Sequence, residues 1–223
     1  MDQGNPDSVE QLLAEQQAYY RARAPEYLKG ALVPLASEQS TALRRELGAA
    51  FDEHIRGDVL ELACGPGTWT AMLAERARTL TAIDGSPEML AQAAERPYGE
   101  HVRFVCADLF EWQPERRYDS IFFGFWLSHV PDERFQGFWA KVAHALRPGG
   151  RVVFIDDAIR SDEELVYGAD SYVVRRVLSD GSLHRVVKMP HTPQALQERL
   201  SELGWQFEMH DAAPFFWGVG RRR

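Results

Sequence analysis

The sequence predicts an α/β protein: a mostly parallel sheet with helices on both faces. Between residues 59 and 155, short apolar strands alternate with helical segments, the rhythm of strands joined by crossover helices. The first strands end on glycines or a carboxylate, at Cys64-Gly65-Pro66-Gly67, Asp84 and Asp108. After residue 160 the rhythm changes to a hairpin pattern around Asp180-Gly181, one helix and a closing antiparallel pair.

In chain order, residues 1–7 are polar and expected to fray. A helical pattern over 8–28 puts Val9, Leu12, Leu13, Gln16, Tyr19 and Tyr20 near one face, and Pro25 is expected to interrupt it. A second helix covers 41–54. Strands follow at 59–63, 80–83, 102–106, 118–123 and 152–155. The helices between them lie at 68–77, after Ser86-Pro87 as N-cap and first helical residue, and after Pro131. In the last of these, Phe135, Phe138, Trp139, Val142 and Leu146 recur at helical spacing. A helix over 193–203 and strands at 205–209 and 215–219 close the chain. These patterns divide it into a helical lid (1–54), a core (55–160), an inserted hairpin (161–192) and a closing helix and strand pair (193–223).

The 25 Lys and Arg against 33 Asp and Glu give a net charge of −8, which disfavours nucleic acid as a partner because phosphate contacts need a basic surface. The longest apolar stretch, 121–130, falls short of the ~20 residues that span a bilayer. Neither a secretory leader nor a disulfide framework is expected, and two cysteines in apolar segments suit the cytoplasm. A small molecule is the expected partner. Oligomeric state leaves no signal in the sequence.

In an open parallel sheet, ligands bind beyond the carboxyl ends of the strands, near the point where strand order reverses. Gly65 and Gly67 let backbone approach a ligand closely. Asp84 is placed to accept from ribose hydroxyls and Asp108 from an adenine amino group. A dinucleotide loop needs a third glycine where Thr70 stands, and Glu61 beside the loop favours an ammonium over a phosphate. Together these describe a nucleoside carrying an amino acid.

The run Glu61-Leu62-Ala63-Cys64-Gly65-Pro66-Gly67-Thr68, with Asp84, Ala107-Asp108-Leu109 and Leu146-Arg147-Pro148-Gly149-Gly150, resembles the class I S-adenosylmethionine (SAM)-dependent methyltransferases. The resemblance implies SAM as cofactor and a Rossmann-like, seven-stranded sheet with a reversed last hairpin. It also implies that the Gly65–Gly67 loop meets the methionine part, Asp84 the ribose and Asp108 the adenine. The expected cofactor wall is completed by Glu61, Ala63, Trp69, Gly85, Met89, Leu109, Phe125 and Trp126. Ala63 stands where many members of the family carry glycine.

On the substrate side, His129 reads either as a base or as a satisfied histidine at the start of a helix, and Phe125 as a shelter for the sulfonium or as core. With a two-residue Asp180-Gly181 turn, Arg175, His184 and Lys188 share a face with Val173, Val177 and Val186, and Arg176 opposes Arg185. A three-residue loop exchanges Arg175 for Arg176. Either register places an arginine, His184 and Lys188 together, as a roof for an anionic substrate or as a charged, solvated edge. The run Tyr19-Tyr20-Arg21-Ala22-Arg23-Ala24-Pro25-Glu26-Tyr27 of the first helix is expected to form the opposite wall, a lid over the cofactor. With Trp126-Leu127-Ser128-His129-Val130-Pro131, this pattern resembles the bacterial phosphonate O-methyltransferases of natural-product biosynthesis, which implies Tyr27, Arg176 and Lys188 as the anion-binding group. Asp156-Asp157 lacks the companions of a metal site, so no metal is expected.

The leading expectation is methyl transfer to a phosphonate or carboxylate oxygen. The alternatives are N- or O-methylation of a neutral or cationic natural product with His129 as base, a nicotinamide oxidoreductase, and a non-catalytic SAM-binding protein.

Overall fold

The computed structural model describes residues 8–35, 38–158, 165–167 and 171–223. Residues 1–7, expected to fray, and residues 161–164 and 168–170 of the expected insertion lie outside the described residues.

Helices α1 (Val9–Leu35) and α2 (Glu38–His54) lead into strand β1 (Asp58–Leu62). Then follow α3 (Thr70–Ala74), β2 (Thr79–Asp84), α4 (Pro87–Ala94), β3 (Val102–Cys106) and β4 (Tyr118–Gly124). A 3-10 turn (Leu127–His129), α5 (Asp132–Ala145) and β5 (Leu146–Asp157) lead to a hairpin of β6 (Val173–Val177) and β7 (Leu183–Val187). The chain closes with α6 (Pro193–Glu202), β8 (Trp205–Ala212) and β9 (Phe215–Arg222).

Seven strands form one sheet in the order β3-β2-β1-β4-β5-β9-β8. Strands β3 to β5 pair in parallel and β9 pairs antiparallel with both β5 and β8. The order reverses between β1 and β4, so their carboxyl ends splay apart and leave a crevice. Alternation along the strands builds two apolar layers. Leu60, Leu62, Ile121, Phe123, Val152 and Phe154 pack with Trp139 and Leu196 on one face. Val59, Phe122, Val153 and Ile155 pack with Leu47, Phe51 and Leu73 on the other.

Two local expectations are corrected, and the hairpin register, open in the sequence, is settled. Helix α1 runs through Pro25 without interruption. A mid-helix proline costs about 3 kcal/mol, and contacts of the turns before it offset that cost: Leu12, Gln16 and Tyr19 are buried. Beyond them the buried Ala24 accepts from Gln92 Nε2 at 2.6 Å through its carbonyl. The helix expected over 68–77 shrinks to Thr70–Ala74. The hairpin uses the three-residue loop, pairing Arg176 with His184 and Arg175 with Arg185. Only Gly181, with φ +83°, is left-handed there, and its N–H reaches Leu178 O at 2.9 Å, a type I turn closed by glycine. This register buries Val174, Leu178 and Val186 against Tyr19 and leaves Val177 63% exposed.

Helix α1 lies along β7, joined by polar contacts. Gln16 Nε2 donates to His129 O at 3.2 Å, and Val187 N donates to Gln16 Oε1 at 3.0 Å. Glu15 accepts from the backbone N, Nε and Nη2 of Arg185 at 2.6–2.9 Å. We expect Gln16→Leu to lower unfolding free energy by about 2–4 kcal/mol, because it strands one buried donor and one buried acceptor. Chemical denaturation measures the loss.

Candidate active site

The crevice between β1 and β4 opens into a cavity, where ligands of open parallel sheets bind. Its floor is Ala63, Gly65, Asp84, Gly85, Asp108, Leu109, Gly124, Phe125 and Trp126, and α1 covers it with Leu13, Gln16, Gln17, Tyr20 and Tyr27. Met89 and His129 complete the wall. A second chamber adjoins it, sharing Tyr20, Tyr27, Ala63, Gly65, Gly124, Phe125 and His129. Its outer walls bring Arg23, Glu26, Asp157, Arg176 and Lys188 together with Trp69.

Each floor residue follows from local chain geometry. Ala63 and Phe125, the residues just past β1 and β4, have φ of +52° and +55°. They are the non-glycine residues in the left-handed region among those described, and both line both chambers. Such backbone strain gathers at functional sites, and here it turns the chain sharply away from the strand ends. At Gly65, with φ +54°, a Cβ would meet nothing, so the requirement is conformational. Asp84 ends β2 and accepts from Gly65 N and Ser86 N, both at 2.8 Å. Burial raises its pKa while the backbone N–H groups of Ser86, Gly65 and Gly85 oppose the rise. Asp108, two residues past β3, lines the inner chamber and accepts from Phe110 N at 2.8 Å.

Glu61 sits beneath the loop rather than on the cavity wall. Only 1% exposed, it accepts from Thr70 Oγ1 at 2.7 Å. Burial pushes its pKa up to about 8. Gly67 is buried against Ala93 and Tyr98, outside the lining of both chambers, and its carbonyl accepts from Arg96 at 2.8 Å; Trp69 packs against Phe51 and Phe122 while reaching the outer chamber.

The substrate-side residues divide. His129 is 8% exposed, with Nδ1 at 2.6 Å from Val187 O and Nε2 at 2.8 Å from Tyr20 Oη. Burial, then Lys188, holds its pKa well below 6.5, so it is neutral near pH 7. Lys188 is 6% exposed, pairs with Asp157 and donates to Ser128 Oγ at 3.0 Å. Burial raises the Asp157 pKa against the pull of Lys188. Arg23 covers the Tyr27 ring at 4.9 Å and donates to Tyr19 Oη at 2.8 Å. Arg176 reaches the outer chamber, whereas Arg175 faces away and is exposed. His184 contacts the Tyr19 ring and Ser182, away from the lining of both chambers. Asp156 accepts from Ser128 N at 2.9 Å and Asp157 N at 2.8 Å.

Arg23 and Glu26 fall within the run expected to form this wall, whereas Gln16, Gln17 and Asp157 were not expected there. Gln16 did carry a signal, a polar side chain on the apolar face of α1.

Comparison with known proteins decides the family. The methyltransferase domain profile matches residues 59–150. The chain is similar to a solved "DhpI-SAM-HEP complex", at 40% identity and TM-score 0.85, covering 96% of this chain and 100% of that one. The chain belongs to the class I SAM-dependent methyltransferases. A "DhpI-SAH complex" aligns comparably, at 40% identity, TM-score 0.84 and coverage of 96% and 98%. Trans-aconitate 2-methyltransferase of Escherichia coli O139:H28 is 45% identical over 76 residues, 33% of this chain. That match spans 29% of the curated relative's length. The cofactor of this methyltransferase is SAM, as in these complexes, and the inner chamber fits it: carboxylates at Asp84 and Asp108, left-handed Gly65 at the loop, and Met89, Leu109, Phe125 and Trp126 around them. Among the described residues, no helix is long and apolar enough to cross a membrane.

Two outcomes follow from the floor. Ala63→Gly relieves a left-handed alanine and is expected to raise stability by about 1 kcal/mol, some 2–4 °C in melting midpoint for a chain of this size. For Glu61, the unfolded chain titrates near 4.5 and the folded chain near 8. Between these values the native state holds a proton that the unfolded state has released, so stability falls as pH rises through the window. Glu61→Gln keeps an acceptor for Thr70 and is expected to gain on the wild type between about pH 5 and pH 8. Denaturant midpoints across that range measure both slopes.

Proposed function

We propose that the protein transfers a methyl group from SAM to an anionic oxygen, phosphonate or carboxylate, of a small metabolite. The observation that carries this reading is the outer chamber, where Arg23, Arg176 and Lys188 stand against two carboxylates, Glu26 and Asp157. In a chain of net charge −8, that local cationic excess runs against the overall balance. When bound, SAM supplies a carbon that exchanges its bond to sulfur for one to the acceptor oxygen, the sulfur keeping the electron pair. This chain contributes position and the exclusion of water.

Arg176 grips two oxygens of a phosphonate or carboxylate with its planar fork, and Lys188 adds a point charge whose place is fixed by Asp157 and Ser128. Tyr27, beneath Arg23, forms the rest of this anion-binding group. Tyr19 closes the wall behind it. Within the inner chamber, Asp84 holds the ribose, Asp108 the adenine and the Gly65 loop the methionine part, with Met89, Leu109 and Trp126 packing around them.

An ionised oxygen is already a nucleophile, so no base is needed. That agrees with His129, whose two ring nitrogens are both occupied and which burial keeps neutral. The similarity to a complex holding HEP beside SAM and to a methyltransferase of trans-aconitate supports a small anionic acceptor.

With SAM in excess, Arg176→Gln is expected to raise KM for small phosphonates about 10- to 100-fold, the worth of a charged hydrogen bond. SAM affinity by calorimetry is expected to stay at the wild-type value. An unchanged KM across phosphonates and carboxylates would contradict the anion role.

A further inference from the structure

We infer that the Tyr20 hydroxyl oxygen, at the junction of the two chambers, is a fixed hydrogen-bond acceptor for the C–H groups of the SAM methyl, with His129 as the residue that positions it. The inference rests on the SAM-dependent reading above and adds a role for two side chains.

A chain of donors fixes where the protons lie. Val187 O is a carbonyl and only accepts, so the hydrogen at 2.6 Å lies on His129 Nδ1. The neutral ring then has a lone pair at Nε2, and Tyr20 Oη, 2.8 Å away, donates its hydrogen there. That hydrogen is the only one the phenol has. What Tyr20 offers the cavity is therefore lone pairs and no donor.

The arrangement is held rigidly. Gln16 bonds His129 O at 3.2 Å and Val187 N at 3.0 Å, so the backbone on both sides of the imidazole is fixed to α1, the helix that carries Tyr20. The Tyr20 and His129 rings meet edge to face at 5.5 Å.

Position and polarity agree. Tyr20 belongs to the wall shared by the cofactor chamber and the cationic outer chamber. The hydrogens of a sulfonium methyl are polarised, and a C–H group facing an oxygen lone pair is favourable. The demethylated product, SAH, has neither the methyl nor the charge. Tyr20 thus favours SAM over SAH.

The test is calorimetry of SAM and SAH binding to the full chain, wild type and Tyr20→Phe. SAM affinity is expected to fall about two- to fivefold with SAH affinity unchanged; the SAH value also reports that the variant is folded. A parallel loss of both, or no loss of either, would overturn the inference. Should the variant not fold, the methyl protons of 13C-methyl SAM bound to the wild type decide: a downfield shift on binding supports the contact, and its absence overturns it. If the wild type binds neither ligand, the methyltransferase reading fails and this inference with it. If it binds both and the ratio is the same in the variant, only this inference fails.

Discussion

The roof over the strand ends depends on a short polar seam between α1, the 3-10 turn and β7. Gln16 and His129 make four hydrogen bonds there, to His129 O, Val187 N, Val187 O and Tyr20 Oη. Buried donors and acceptors cost about 1–3 kcal/mol each when left unpaired, so the three elements dock in one register or not at all. Apolar contact of Tyr19 with Val174, Leu178 and Val186 adds burial without direction. Direction comes from the seam. It holds Tyr20 and Tyr27 over the crevice, and it sets Lys188, the residue after β7, beside Asp157 at the end of β5.

The floor follows a different logic. Parallel strands end together at one edge of the sheet, and the chain must turn away from each end sharply enough to leave room. Ala63 and Phe125 make those turns in the left-handed region, at a cost of about 1–2 kcal/mol each for residues with a Cβ. Phe125 is held there by its N–H on Ile155 O at 2.8 Å and by its ring against Phe215 at 5.4 Å. Packing of the strong apolar layers beneath offsets the strain.

The sheet was legible in the sequence because its elements carry local signals: apolar runs, Ser86-Pro87 at the head of α4, the heptad-like spacing of α5. Asp84, Asp108 and the Gly65 loop were legible because strand ends are where such residues gather. The hairpin register was not. Asp180-Gly181 suits either loop length, and the choice falls to which valines, Val174 and Val186, find Tyr19, more than 150 residues earlier in the chain. Pro25 misled for a similar reason, since the contacts of Ala24 and Tyr19 that carry the helix through it are tertiary. Charge partners were also invisible: nothing local says that Lys188 meets Asp157 or that Arg185 meets Glu15.

Those pairings shape the electrostatics of the outer chamber. Lys188 alone is largely balanced by Asp157, so the anionic acceptor we propose depends on Arg176 and Arg23 joining it in the outer chamber. A crystal structure of the protein with SAH and a small phosphonate tests this most directly. The account predicts the phosphonate in the outer chamber, its oxygens bonded to Arg176 and Lys188 and one of them directed at the sulfur. A phosphonate bound elsewhere, or an outer chamber that closes on itself when SAH occupies the strand ends, would contradict it.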